Sequence, residues 1–168
     1  MKYLKITTVL LSVVLLLTGS LLAMVPTPLP ALQLTSVNGQ AVTTQDLPNK
    51  GNWLLIYINS RSYVCDDLLK LLQKDGTNGP AAGAVIVVDG TLDDLQKLRI
   101  KYPGLASAAW YVDTGHQAFN ALKLHGFPVV IGVTQQSMEW MLNGIVPDRI
   151  SFMAILNNWL QQRTPQKQ

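Results

Sequence analysis

Apolar residues fall along this chain with two periods, and the switch between them marks its most informative stretch. Trp53-Leu54-Leu55-Ile56-Tyr57-Ile58 is a continuous apolar run, the pattern of a strand buried on both faces of a sheet. Asn59, Ser60, Arg61 and Ser62 interrupt it. From Val64 the spacing is helical, with Val64, Cys65, Leu68, Leu69 and Leu72 on one stripe. The sequence thus predicts a buried strand turning sharply into a helix over Tyr63–Lys74, with Ser62 as N-cap and Cys65 in the first turn.

The same reading extends along the rest of the chain. Leu32–Thr35 and Ala41–Thr43 flank Asn38-Gly39, a strong turn signal, and predict a hairpin. Ala84–Asp89 is a second buried strand. Thr91 and Asp94 have capping-box spacing before a helix around Leu92–Lys101, which Pro103-Gly104 ends. Ala108–Asp113 is a third strand, followed by a helix near His116–Leu124 with Ala118, Phe119 and Leu122 inward. Gly126-Phe127-Pro128 breaks the chain before a fourth apolar strand, Val129–Thr134. Gln135-Gln136-Ser137 supplies a turn. Met138–Asn143 alternates as a strand near an edge, with Met138, Trp140 and Leu142 on one face. Asp148 caps a last helix whose stripe is Phe152, Ile155, Leu156 and Trp159. This order, a hairpin, then β-α-β-α-β-α, then β-β-α, predicts an α/β domain with one mixed central sheet and helices on both faces, in three layers.

The N-terminus stands apart. Lys2 and Lys5 precede Ile6–Val25, twenty residues without a charge. As a helix that stretch is about 30 Å long, the thickness of a bilayer core. No good small-x-small cleavage site follows, and no cysteine is placed for lipid attachment. Residues 1–25 are therefore expected to be a signal anchor, or else a cleaved signal peptide. With an anchor, the N-terminus stays in the cytoplasm and the domain faces the periplasm or cell exterior of a bacterial inner membrane. With cleavage it is secreted or periplasmic. Pro26, Pro28 and Pro30 make residues 26–31 an extended spacer, residues 32–162 the domain, and residues 163–168 a tail.

Composition narrows the function. At 48% hydrophobic residues the chain affords a full core. Its net charge of +3 falls to +1 without Lys2 and Lys5, so no basic stripe argues for nucleic acid. No phosphate loop, dinucleotide fingerprint or hydrolase signature is present, and no cofactor is expected. His116 and His125 form no metal motif and read as surface or loop histidines. Asp66-Asp67 and Asp93-Asp94 read as first-turn helix charges. Cys65, the single cysteine, has two readings. A thiol at a helix N-terminus is favoured as thiolate, whereas its place on the apolar stripe points it into the core.

The element order resembles the thioredoxin-like superfamily, in particular its membrane-tethered TlpA/ResA-type branch. Four features carry the resemblance: the N-terminal hairpin, the strand entering a helix through Ser62-Tyr63-Val64-Cys65, the extra β-α unit at 108–124, and Gly126-Phe127-Pro128 opening a strand pair and final helix. The resemblance implies a cis-proline at Pro128 facing the redox motif, with Tyr63, Phe127 and Pro128 on the partner surface. It also implies thiol-disulfide exchange or envelope-protein maturation, with an extracytoplasmic protein as partner.

The departure is chemical. The family's Cys-x-x-Cys is Ser-x-x-Cys here: Ser62 occupies the attacking position and Cys65 the resolving one. One cysteine cannot form an intramolecular disulfide, which excludes dithiol turnover. Three readings follow. Cys65 acts alone, in a mixed disulfide or as a peroxiredoxin-like peroxidase. Alternatively, the domain is a non-catalytic binding or assembly module. As a third reading, Cys65 and His125 bind a metal.

Overall fold

The computed structural model describes residues 26–47, 51–74, 79–145 and 147–162. The sequence-predicted anchor at residues 1–25 and the tail at 163–168 lie outside them. Among the described residues, no helix is long and apolar enough to cross a membrane.

Eight strands form one mixed sheet. In chain order they are β1 (Thr27–Pro28), β2 (Gln33–Ser36), β3 (Ala41–Thr43), β4 (Asn52–Asn59), β5 (Ala84–Asp89), β6 (Ala109–Asp113), β7 (Val129–Thr134) and β8 (Ser137–Asn143). Across the sheet the order is β1-β8-β7-β4-β5-β6-β2-β3. The centre, β4-β5-β6, is parallel, as the helical crossovers require. β7 joins β4 antiparallel on one side, and β2 joins β6 antiparallel on the other. The helices are α1 (Tyr63–Lys74), α2 (Leu92–Lys101), α3 (Gln117–Ala121) and α4 (Arg149–Gln161).

Strand alternation divides the core in two. Leu54, Ile56 and Ile58 of β4 face one way, where they meet Cys65, Leu68, Leu69 and Leu72 of α1, Leu95 of α2, and Phe152 and Leu156 of α4. Trp53, Leu55 and Tyr57 face the other way, against Ala118 of α3 and Leu29, Leu32, Leu34 and Leu47 of the N-terminal segment. Burial on both faces explains why β4 is apolar throughout. The helices are unevenly shared: three cover the first face, while the short α3 and extended chain cover the second.

The local signals act as the sequence implies at two helix starts. Thr91 Oγ1 accepts from the Asp94 N–H at 3.1 Å, and the Asp94 carboxylate accepts from the Thr91 N–H at 3.0 Å. Asp148 accepts from the Ile150 N–H at 3.1 Å.

Four readings of the pattern are corrected. Residues 26–31 are extended, yet they are built into the sheet rather than spanning a gap: Thr27 pairs with Met138, and Leu29 is buried. Met138 does not share a face with Trp140 and Leu142. A register shift at Gly132/Val133 turns Met138 toward the α3 face, whereas Trp140 and Leu142 stay on the α4 face. Ile155 is 41% exposed, because α4 buries only the line through Phe152 and Leu156. Finally, the two-residue β7–β8 turn is made by Gln135 and Gln136, both at positive φ (+47° and +66°), as a primed hairpin turn requires. In the Asn38-Gly39 pair only Gly39 takes positive φ, at +78°.

Candidate functional site

One end of the sheet gathers the chemistry. There the parallel strands β4, β5 and β6 finish, α1 begins, and β7 starts. The chain leaves β4 through an Asx turn: Asn59 Oδ1 accepts from the Arg61 N–H at 2.9 Å, and the Asn59 carbonyl accepts from the Ser62 N–H at 3.2 Å. Ser62 then opens α1, its carbonyl accepting from the Asp66 N–H at 3.1 Å. Its hydroxyl is 3.5 Å from the Cys65 nitrogen, the outer limit of a cap bond.

Cys65 belongs to the core. It is 2% exposed and packs with Leu68, Leu69 and Leu72. Its Sγ accepts from the Asn59 N–H at 3.4 Å. Burial pushes the thiol pKa above its ordinary value, outweighing the Asn59 and Ser62 hydrogen bonds that favour the thiolate. The neighbouring Asp66 is engaged elsewhere, with Lys101, Lys70 and the Tyr102 hydroxyl, which together hold its carboxyl below the usual range.

Pro128 stands beside this turn. The β4–β7 ladder ends with Tyr57 opposite Val129, so Pro128 comes next, level with Ile58. The Phe127–Pro128 peptide is cis, and the Pro128 carbonyl accepts from the Gly144 N–H at 2.7 Å. Phe127 packs against Tyr57 and Phe119, with ring centroids 5.4 and 5.5 Å apart. Tyr63 is 80% exposed on the first turn of α1. A groove of about 200 Å³ opens between α1 and the chain after β8, lined by Asp67, Leu71, Ile145, Pro147 and Arg149. A larger cleft of about 390 Å³, around Ile100, Leu105 and Trp110, includes none of the predicted site residues.

A buried polar cluster under Phe127 escaped the sequence reading. Asn59, Asp89 and Asp113 are in register at the ends of β4, β5 and β6, so their side chains emerge on one face together with Tyr57. The Tyr57 hydroxyl lies 2.9 Å from Asp113 Oδ2 and 3.2 Å from Asp89 Oδ1. Asp113 also accepts from the N–H groups of Gly115, Gln117 and Ala118, at 3.2, 3.0 and 2.7 Å. Asp89 accepts from Asn59 Nδ2 at 3.1 Å and is paired with His116 Nδ1. Asp89 is 5% exposed and Asp113 fully buried. Burial, then the two carboxylates, drive the Tyr57 phenol far above its ordinary pKa.

His116 is an exposed loop histidine, and its ring also partners the buried Asp89. The available signal was the repeated strand ending Val-Asp, at Val88-Asp89 and Val112-Asp113. Asn59 links the two halves of this end, giving its N–H to Cys65 and its amide to Asp89. Cys65 hydrogen-bonds Asn59 rather than His125, and among the described residues no group of three His, Cys, Asp or Glu side chains is placed to hold a metal ion.

Chemically, this end can present a surface and hold a buried acid pair, but its one thiol is out of reach of a substrate disulfide.

No protein-family model and no curated protein matches the chain. Solved structures do. A protein described as thiol:disulfide interchange protein DsbE from Chlorobium tepidum is similar over 80% of this chain and 96% of its own, at 17% identity and TM-score 0.64. A thiol:disulfide interchange protein from Bacteroides is similar over 83% and 92%, at 14% identity and TM-score 0.63. The exposed lipoprotein thioredoxin of Streptococcus pneumoniae is similar over 77% and 99%, at 13% identity and TM-score 0.57. At these identities the likeness concerns the backbone arrangement. The chain has a thioredoxin-like α/β fold, and its structural neighbours include thiol-disulfide interchange proteins.

Proposed function

We propose that this chain is an extracytoplasmic thioredoxin-fold protein that serves thiol-disulfide chemistry or envelope-protein maturation by holding a protein partner, without exchanging disulfides itself. The observation that carries this reading is the state of Cys65. Exchange requires an accessible thiolate to attack a substrate sulfur and a second thiol to resolve the mixed disulfide. Here the only thiol is 2% exposed with a raised pKa, and Ser62 holds the other position. What the neighbours are named for supports the partner class, and the apolar stretch at residues 6–25 supports attachment to a membrane. The partner surface is the exposed Tyr63 ring, the half-buried Phe127 and the groove beside α1, with Pro128 buried behind them.

Thiol labelling of the full chain in detergent micelles tests this. Cys65 should resist iodoacetamide at neutral pH in the folded protein and take up one equivalent in denaturant. Fast labelling of the folded protein, with an apparent pKa below that of a free thiol (about 8.5), would return the single-cysteine redox reading to the front. A photo-crosslinker at Tyr63 should give protein adducts that one at Ile100 does not.

A further inference from the structure

Among the described residues, the sheet has an unfilled edge along β8. β8 runs from Ser137 to Asn143, yet β1 covers only Ser137 and Met138. Among the described residues nothing pairs with the outer side of Glu139–Asn143. The direction of its backbone groups follows from one bond. Gly144 gives its N–H inward to Pro128, directly opposite. Inward and outward pairs alternate along an antiparallel ladder, so Leu142 and Trp140 also face β7. Asn143 and Met141 then turn their N–H and C=O groups outward. Beyond the bulge the next outward residue is Met138, and there Thr27 pairs with it.

We propose that the outer edge of β8, from Glu139 to Asn143, docks an extended polypeptide segment of the protein partner as an added strand. Unpaired backbone groups in a row recognise an extended backbone and little else. The same edge already accepts one, since β1 is a two-residue strand laid on its near end. Edges that avoid such pairing carry lysine, proline, inward charges or a bulge, and here the bulge falls at Glu139, at the β1 end, leaving Trp140–Asn143 in regular register. This edge reads Glu139-Trp140-Met141-Leu142-Asn143, with a single charge at one end. The Met141 thioether is an adaptable contact on one side, and the Trp140 ring, stacked edge-on against Trp159 at 5.6 Å, is a rigid one on the other. A second folded copy is a poorer occupant: a five-residue edge falls well short of the interface of about 1,200 Å² that a stable pair of folded proteins needs. The far end of the edge, Asn143-Gly144, is level with Val129 and Pro128 across β7, so the added strand would finish at the same end of the sheet as Tyr63 and Phe127. The inference rests on the protein-binding reading and names the conformation of what is bound.

The test uses the full chain in micelles with fluorescently labelled, reduced and carboxymethylated α-lactalbumin, a permanently extended polypeptide. Binding is followed by anisotropy and amide hydrogen exchange. The probe should bind and slow exchange at the Met141 and Asn143 amides. Met141→Pro removes one outward N–H, and proline is tolerated where its nitrogen faces off the sheet. It should weaken binding roughly tenfold or more, while Met141→Ala stays within about twofold. Equal binding by Met141→Pro would overturn the edge proposal. So would exchange at these amides already slow without probe, no binding by the parent, or a dimer that Met141→Pro dissolves. If Met141→Pro fails to fold, amide protection in the parent decides alone. Crosslinking from Tyr63 reports the underlying reading independently, so adducts there with an inert edge would sink this inference only.

Discussion

The buried pair Asp89 and Asp113 allows a prediction in which two similar substitutions have opposite consequences. Asp113 is surrounded by donors: three backbone N–H groups and the Tyr57 hydroxyl, at 2.7–3.2 Å. Asp113→Asn replaces one acceptor oxygen by an amide that can only donate. In its better orientation the amide faces the Ala118 N–H, and a buried donor is left unpaired, at about 1–3 kcal/mol. The bonds to Gly115 and Gln117 lose their charge, at roughly 1 kcal/mol each. Relief of the facing carboxyl offsets part of this, and a net loss of about 3 kcal/mol remains. At about 2–4 °C per kcal/mol for a domain of this size, the melting temperature should fall by roughly 6–12 °C.

Asp89→Asn differs because every contact can be remade. Its oxygen accepts from Asn59, and its amide donates to the Tyr57 oxygen and, with the imidazole proton moved to Nε2, to His116 Nδ1. It also removes one of two adjacent buried carboxyls. Its cost should lie within about 1 kcal/mol of zero. Urea denaturation followed by near-ultraviolet circular dichroism measures both. If Asp113→Asn is as stable as the parent, or Asp89→Asn is the costlier change, the ring of donors around Asp113 does not carry the energy assigned to it.

Two further outcomes follow from packing and charge. Gly132→Ala places a methyl 2.2 Å from Cε2 of Trp140, which cannot retreat without losing its contact with Trp159. The cost should be about 2–3 kcal/mol, with a shift in tryptophan fluorescence, and an unperturbed spectrum would refute this packing. The Asp66 carboxyl is held below its ordinary pKa by Lys101, Lys70 and Tyr102. Its contribution is therefore complete above the unfolded value of about 3.9 and is lost as pH falls toward the lower folded value. Stability measured from pH 5 to 2 should decline, and Asp66→Asn should flatten the decline; identical slopes would show that the cluster contributes nothing to acid stability.

The sequence by itself determined every strand and α-helix except β1. Continuous apolar runs identified β4, β5 and β7, because a strand covered on both faces cannot afford polar positions. The helical stripe of α1 and the Thr91–Asp94 box are local in the chain, and so were legible there. The stripe also carried the core reading of Cys65, since its direction follows from helical periodicity alone. Tertiary structure decided whatever depends on register between segments far apart in sequence. Asn59, Asp89 and Asp113 become neighbours only when three parallel strands align, and nothing in their separate surroundings announces it. The register shift that turned Met138 away from Trp140 is likewise a property of two paired strands rather than one. The proline segment at 26–31 joined the sheet because β8 offered it an edge, and periodicity contains no information about edges. Local physics fixed each segment's conformation, and the alignment of distant segments fixed what they do together.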